Sequence, residues 1–114
     1  LAKRENLPLI DLNKQSSLLL LHTGMGGSKH IYVHFPMGTF PWQTKAFEDN
    51  THFTPFGAYE LSKLVIQELK NMKHPLAEHL RDDWTDFIPY YPDNSAEFYW
   101  PQSIFHDGAK PDGN

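Results

Sequence analysis

The 114-residue sequence contains no cysteine, so disulfides and thiol catalysis are excluded, while the redox compartment stays open. It lacks an excess of positive charge: 10 basic residues face 14 acidic ones, for a net charge of −4. That balance argues against nucleic acid as a partner. Long apolar runs are missing too. Leu18 to Leu21 is a short leucine patch, far below the ~20 residues that a membrane span requires, so no membrane partner is expected. The opening residues carry no basic-then-apolar leader pattern. No serine has the context of an activated nucleophile: Ser16, Ser17, Ser28, Ser62, Ser95 and Ser103 all lie outside any Gly-Asp-Ser or Gly-x-Ser-x-Gly frame. The Gly24 to Lys29 run, GMGGSK, lacks the spacing of a phosphate loop and follows a helical pattern rather than a strand. It reads as a flexible exit loop. At 39% hydrophobic residues, the chain has ordinary material for one core.

What is present converges on Glu48 to Lys70, EDNTHFTPFGAYELSKLVIQELK. A carboxylate at Asp49 and an imidazole at His52, spaced i and i+3 in a tight turn, can meet through a ring nitrogen. The carboxylate then fixes the ring's tautomer and favours its protonated form, which suits His52 to take a proton from a nucleophile and return it. The same pair also suits a plain turn with a solvated imidazole, and a short motif carries that alternative with it. Thr54 supplies an N-cap oxygen and Pro55 fits the first helical position, where a missing N–H costs nothing. Ala58, Leu61, Val65, Leu69 and Met72 then recur on one helical face, widened by Leu64, and predict an apolar stripe that anchors the turn. Gly57 and Ala58 leave room in the first helical turn for another segment to approach closely.

In chain order, Leu1 to Asn6 reads as the end of a helix, and Leu7 to Leu12 as a short apolar strand suited to a parallel sheet. Asp11 and Asn13 can cap a helix over roughly Lys14 to His22, with Gly24 as a left-handed C-cap. Asp11 as a functional carboxylate at a strand end is the alternative to capping. Ile31 to Phe35 predicts a strand in which His30 and His34 share a face, so a metal site with Asp49 and His52 is conceivable. Without cysteine or an HExxH pattern, surface or hydrogen-bonded histidines are the preferred reading, and no metal is expected. Pro36 to Phe47 is loop chemistry in which Phe40 and Trp42 either line a cleft or pack under the loop. Asn71 to Pro75 is a helix stop. From Trp84 onward, prolines interleaved with aromatics exclude a regular helix. An aromatic tail packed along the domain is expected, with sugar stacking as the lesser alternative, and the closing KPDGN has linker composition.

The block DNTHFTPFGAYELSKLVIQELK resembles the last block of the SGNH, or GDSL-type, esterases, most closely their rhamnogalacturonan acetylesterase branch. The upstream LAKRENLPLIDLNKQSSLLL resembles the family more loosely, so the likeness covers about residues 1 to 72. It implies an α/β, flavodoxin-like, three-layer fold with a parallel sheet and flanking helices. Residues 1–83 would then form the C-terminal part of the hydrolase domain and 84–114 an irregular aromatic, proline-rich tail. It assigns Asp49 and His52 as catalytic members of a Ser-His-Asp triad, requires no cofactor, and implies an acetylated, pectic polysaccharide or oligosaccharide as substrate. An extracellular or periplasmic location follows from the same likeness. The family's nucleophile and oxyanion-hole blocks have no counterpart in this sequence. The expectation is therefore a C-terminal part that works with a missing N-terminal part of the same enzyme, is inactive alone, and is prone to self-association. The competing expectation from another class is a non-catalytic module binding carbohydrate or a partner through its aromatic tail.

Overall fold

Asp11 opens the first helix as its place before an apolar run predicts, its carboxylate accepting from the Lys14 backbone N–H at 3.0 Å. The computed structural model describes residues 1–101. Helix α1 spans Leu12–Ile31, strand β1 Tyr32–Phe35, strand β2 Phe47–Phe53 and helix α2 Pro55–Asn71, followed by a 3₁₀ turn at Pro75–His79. The KPDGN end and Ser103 lie outside the described residues. No described helix is long and apolar enough to cross a membrane.

Two expectations for the first third are corrected. Leu7 to Leu12 forms no strand: residues 7–11 are irregular and Leu12 already begins α1. Gly24, with φ 65° and ψ −176°, interrupts the helix where a cap was expected, but GMGGSK then resumes as a second helical segment of α1 instead of a flexible loop. The second segment persists because it ends on Ile31, 1% exposed and packed in the core, so tertiary burial outweighs poor glycine propensity.

β1 and β2 pair antiparallel, with Phe35 opposite Phe47, His34 opposite Glu48 and Tyr32 opposite Phe53. The described residues thus mix helices with a two-stranded antiparallel sheet, and the parallel sheet of a three-layer fold is not among them. The reason is connectivity: the link over residues 36–46 has no helix, and such a link joins antiparallel neighbours, whereas a parallel pair needs a crossover.

The stripe assigned to α2 is only half covered. Ala58 and Met72 are exposed and Leu61, Val65 and Leu69 half-buried, while Phe56, Gly57, Glu60, Lys63 and Leu64 are buried. Leu19 of α1 and Leu64 meet in the core with Ile31, Phe56 and Phe87. Residues 84–98 cross α2 on its charged side and cover Glu60 and Lys63. Lys63 Nζ contacts Glu60 Oε1 at 2.7 Å and Asp93 Oδ2 at 2.6 Å, and lies 4.0 Å over the Phe87 ring. Glu60 Oε2 accepts from Asp93 N at 3.2 Å, and Gln67 Oε1 accepts from Phe87 N at 2.8 Å. Glu60 Oε1 has only the ion pair, with no aligned hydrogen bond. A fully buried carboxylate therefore depends on Lys63 for its compensation.

Candidate functional site

Thr54 joins the end of α1 to the start of α2. Its N–H donates to Ile31 O at 2.9 Å, its hydroxyl donates to His30 O at 2.5 Å, and the same oxygen accepts from Gly57 N at 3.0 Å as the N-cap. The close approach anticipated at Gly57 falls on the backbone of α1: a Cβ at Gly57 would sit 2.1 Å from Ile31 O. Only glycine lets the two elements touch this way. The segment just before Thr54 is therefore held at its C-terminal end by backbone contacts, and at its other end by the β1–β2 ladder.

Between those two anchors the strand bulges. Glu48 faces His34 and Phe53 faces Tyr32, so Asp49 to His52 have only Val33 opposite them and leave the ladder. The freed backbone N–H groups turn inward on Asp49, whose Oδ1 accepts from Thr51 N at 2.6 Å and His52 N at 2.9 Å. Its other oxygen, Oδ2, lies 2.6 Å from His52 Nδ1. The two residues singled out from the sequence are thus brought together, within a strand bulge rather than a free turn. The backbone N–H of His52, then that of Thr51, then the imidazole hold the Asp49 carboxyl down to a pKa of about 2. Asp49 is therefore a carboxylate at any ordinary pH. Because it accepts from Nδ1, that nitrogen carries the proton in neutral imidazole and Nε2 keeps its lone pair. The His52 side chain is 78% exposed, which leaves Nε2 open to an incoming group.

The wider set of histidines does not assemble. His34 Nε2 pairs with Asn50 Oδ1 at 2.8 Å, His30 is exposed, and no group of three described residues is placed to hold a metal. Ser16, Ser17, Ser28 and Ser62 donate their hydroxyls to carbonyls of their own helices. A cavity of about 730 Å³ lies between α2 and the stretch after the 3₁₀ turn, and neither Asp49 nor His52 lines it. A groove of about 410 Å³ is nearer in sequence to the pair, lined by Lys29, His30, His34, Phe35, Phe47 and Glu48 among others.

Sequence reasoning missed Asn50 and Gln43. Asn50 reaches His34 only across the sheet, so no local spacing announces it. Gln43 is 6% exposed and ties the 36–46 link together: its amide donates to Lys45 O at 2.8 Å and Phe35 O at 3.3 Å, and its carbonyl accepts from Phe40 N at 3.3 Å. Its only signal was an amide side chain beside Trp42 in a proline- and aromatic-rich loop.

Comparison with known proteins gives two matches over this region. Over 80 residues the chain is 38% identical to rhamnogalacturonan acetylesterase RhgT of Bacillus subtilis (strain 168), covering 70% of this chain and 34% of that protein. Over 79 residues it is 37% identical to probable rhamnogalacturonan acetylesterase YesY of the same organism, covering 69% of this chain and 32% of that protein. The chain thus spans about a third of the length of the curated relatives it matches. No family model matches it, and no solved structure matches it significantly.

Proposed function

From a chain that is a relative of the rhamnogalacturonan acetylesterases, we propose that Asp49 and His52 are the acid-base half of a Ser-His-Asp centre in an SGNH-type carbohydrate esterase. The substrate is an acetylated pectic polysaccharide or oligosaccharide of the rhamnogalacturonan type. The observation that carries the reading is the 2.6 Å contact of Asp49 Oδ2 with His52 Nδ1 beside an open Nε2. A serine from a segment outside this sequence attacks the ester carbonyl, and His52 Nε2 takes the hydroxyl proton as the bond forms. The imidazolium, stabilised by Asp49, returns that proton to the leaving sugar alcohol as the C–O bond breaks. Water then attacks the acyl-serine by the same route and releases acetate. The two backbone N–H groups on Oδ1 hold the carboxylate in place throughout, so its orientation does not depend on the imidazole alone.

The test is made in a full-length enzyme that contains this sequence. His52→Ala abolishes hydrolysis of p-nitrophenyl acetate while circular dichroism is unchanged. Asp49→Asn lowers kcat and leaves a residue of activity, because an amide oxygen still accepts from Thr51 and His52 N–H but carries no charge to stabilise the imidazolium. Near-normal turnover by His52→Ala removes the triad.

A further inference from the structure

The link between β1 and β2 does something unusual with its aromatics. Trp42 is 69% exposed, Phe47 41% and Phe40 37%, yet the rings are ordered against one another. Phe40 and Trp42 stack with centroids 5.5 Å apart and planes 6° from parallel, Phe47 meets Trp42 edge-on at 6.1 Å, and Phe35 meets Phe40 edge-on at 5.4 Å. Burial does not explain this arrangement, since the largest of these rings faces water. The loop beneath them is held: Gln43 makes the side-chain bonds described above, its N–H donates to Phe40 O at 3.0 Å, and its carbonyl accepts from Gly38 N at 3.2 Å. Gly38 turns the chain at φ 82°. A flat aromatic face is thus presented to solvent in one fixed orientation.

Two of those rings, Phe35 and Phe47, also form the wall of the 410 Å³ groove that contains Lys29 and His34 and ends at Glu48, the neighbour of Asp49. Its volume falls in the range of about 300–1,000 Å³ usual for small-ligand sites. Phe47 is two positions before Asp49 on β2, or about 7 Å along an extended strand. Aromatic face, polar groove and the Asp49–His52 pair therefore follow one another on a single hairpin.

We propose that Phe40, Trp42 and Phe47 form a sugar-binding platform for the polysaccharide chain, continuing into the Phe35–Phe47 groove on the same hairpin that carries His52. The proposal rests on the esterase reading for the identity of the polysaccharide. The occupant is a pyranose ring, whose C–H face is apolar and flat enough to lie on the exposed Trp42 ring, backed by the Phe40 ring stacked on it, while its hydroxyls stay in water. A uronic acid residue further along places its carboxylate at Lys29, the full cation of the groove, and is kept from the far end by Glu48. A protein partner fits less well, because the exposed rings run directly into a groove lined by Lys29, His34 and Glu48 rather than into further apolar surface.

The test is a titration of a full-length enzyme that contains this chain with de-acetylated rhamnogalacturonan oligosaccharides, followed by the Trp42 indole N–H resonance and by calorimetry. Saturable binding is expected. Trp42→Ala weakens it about tenfold or more, Trp42→Phe retains most of it, and Lys29→Gln weakens it and reduces its dependence on salt. Trp42→Phe keeps an aromatic ring in place, so its retained affinity separates loss of stacking from loss of the loop's fold. The idea is overturned if the wild-type enzyme shows no saturable binding, or if Trp42→Ala binds as the wild type does. The probe carries no ester, so failure of this site and failure of the esterase reading are separate outcomes.

Discussion

Gly57→Ala is the sharpest single perturbation of the seat on which the Asp49–His52 pair rests. In an ordinary helix the change would stabilise by about 1 kcal/mol. Here the new Cβ would lie 2.1 Å from Ile31 O, 2.8 Å from its carbonyl carbon and 2.9 Å from its Cα, all backbone atoms that cannot rotate away. Either α2 shifts outward or the end of α1 does. Overpacking of this kind costs about 1–3 kcal/mol. The shift also breaks the bonds from Thr54 N to Ile31 O and from Thr54 Oγ1 to His30 O, each worth about 1 kcal/mol. Setting the helix gain against these losses leaves a net destabilisation of about 2–4 kcal/mol. Gly26→Ala is the control, because it too is helical but its added methyl would meet nothing within 4 Å. It is expected to be neutral or to stabilise by up to about 1 kcal/mol. Urea denaturation followed by circular dichroism measures both. If Gly57→Ala is as stable as the wild type, or if the two alanines behave alike, the contact between Gly57 and Ile31 is not the seat of the turn.

The remaining expectations concern charge, pH and association. Lys63→Met, which keeps volume but leaves the buried Glu60 carboxylate uncompensated beside Asp93, destabilises by about 3–5 kcal/mol; an unchanged urea midpoint would contradict the packing of residues 84–98 across α2. The Asp49 carboxyl has a folded-state pKa of about 2, below its ordinary 3.8, so its contribution to stability is complete above about pH 4 and is lost as pH falls toward 2. Carbon-detected NMR of that carboxyl should give a midpoint near the lower value, together with loss of the Thr51 and His52 amide positions; a midpoint near 4 would mean that the bulge does not hold. The 114-residue chain alone should resist labelling by a serine-directed fluorophosphonate, because its described helical serines spend their hydroxyls on backbone carbonyls. Leu7, Leu9, Leu21 and Met25 are exposed, so size-exclusion chromatography with light scattering should find it self-associated; a strict 13.2 kDa monomer would refute this.

Local signals were legible in the sequence wherever the partner of a residue lies within a few positions of it. Asp11 before an apolar run, Thr54-Pro55 before the stripe, and Asp49 three positions before His52 each state a hydrogen bond that the chain can close by itself, and each forms. The fold as a whole was less legible. Leu7 to Leu12 has the composition of a strand, yet a strand exists only through a neighbour, and among the described residues it has none. The stripe on α2 was correctly periodic, but which side of the helix is buried depends on where residues 84–98 cross it, and they cover Glu60 and Lys63 instead of Ala58 and Met72. Long-range pairs such as Lys63–Asp93 and His34–Asn50 leave no periodic trace, because their spacing along the chain is set by how the elements dock. Residue order was enough to identify the Asp49–His52 contact and the caps that frame it. Docking of the elements fixed the rest: the pair sits in a strand bulge with its imidazole turned to solvent, which requires β1 on one side and the backbone of Ile31 on the other.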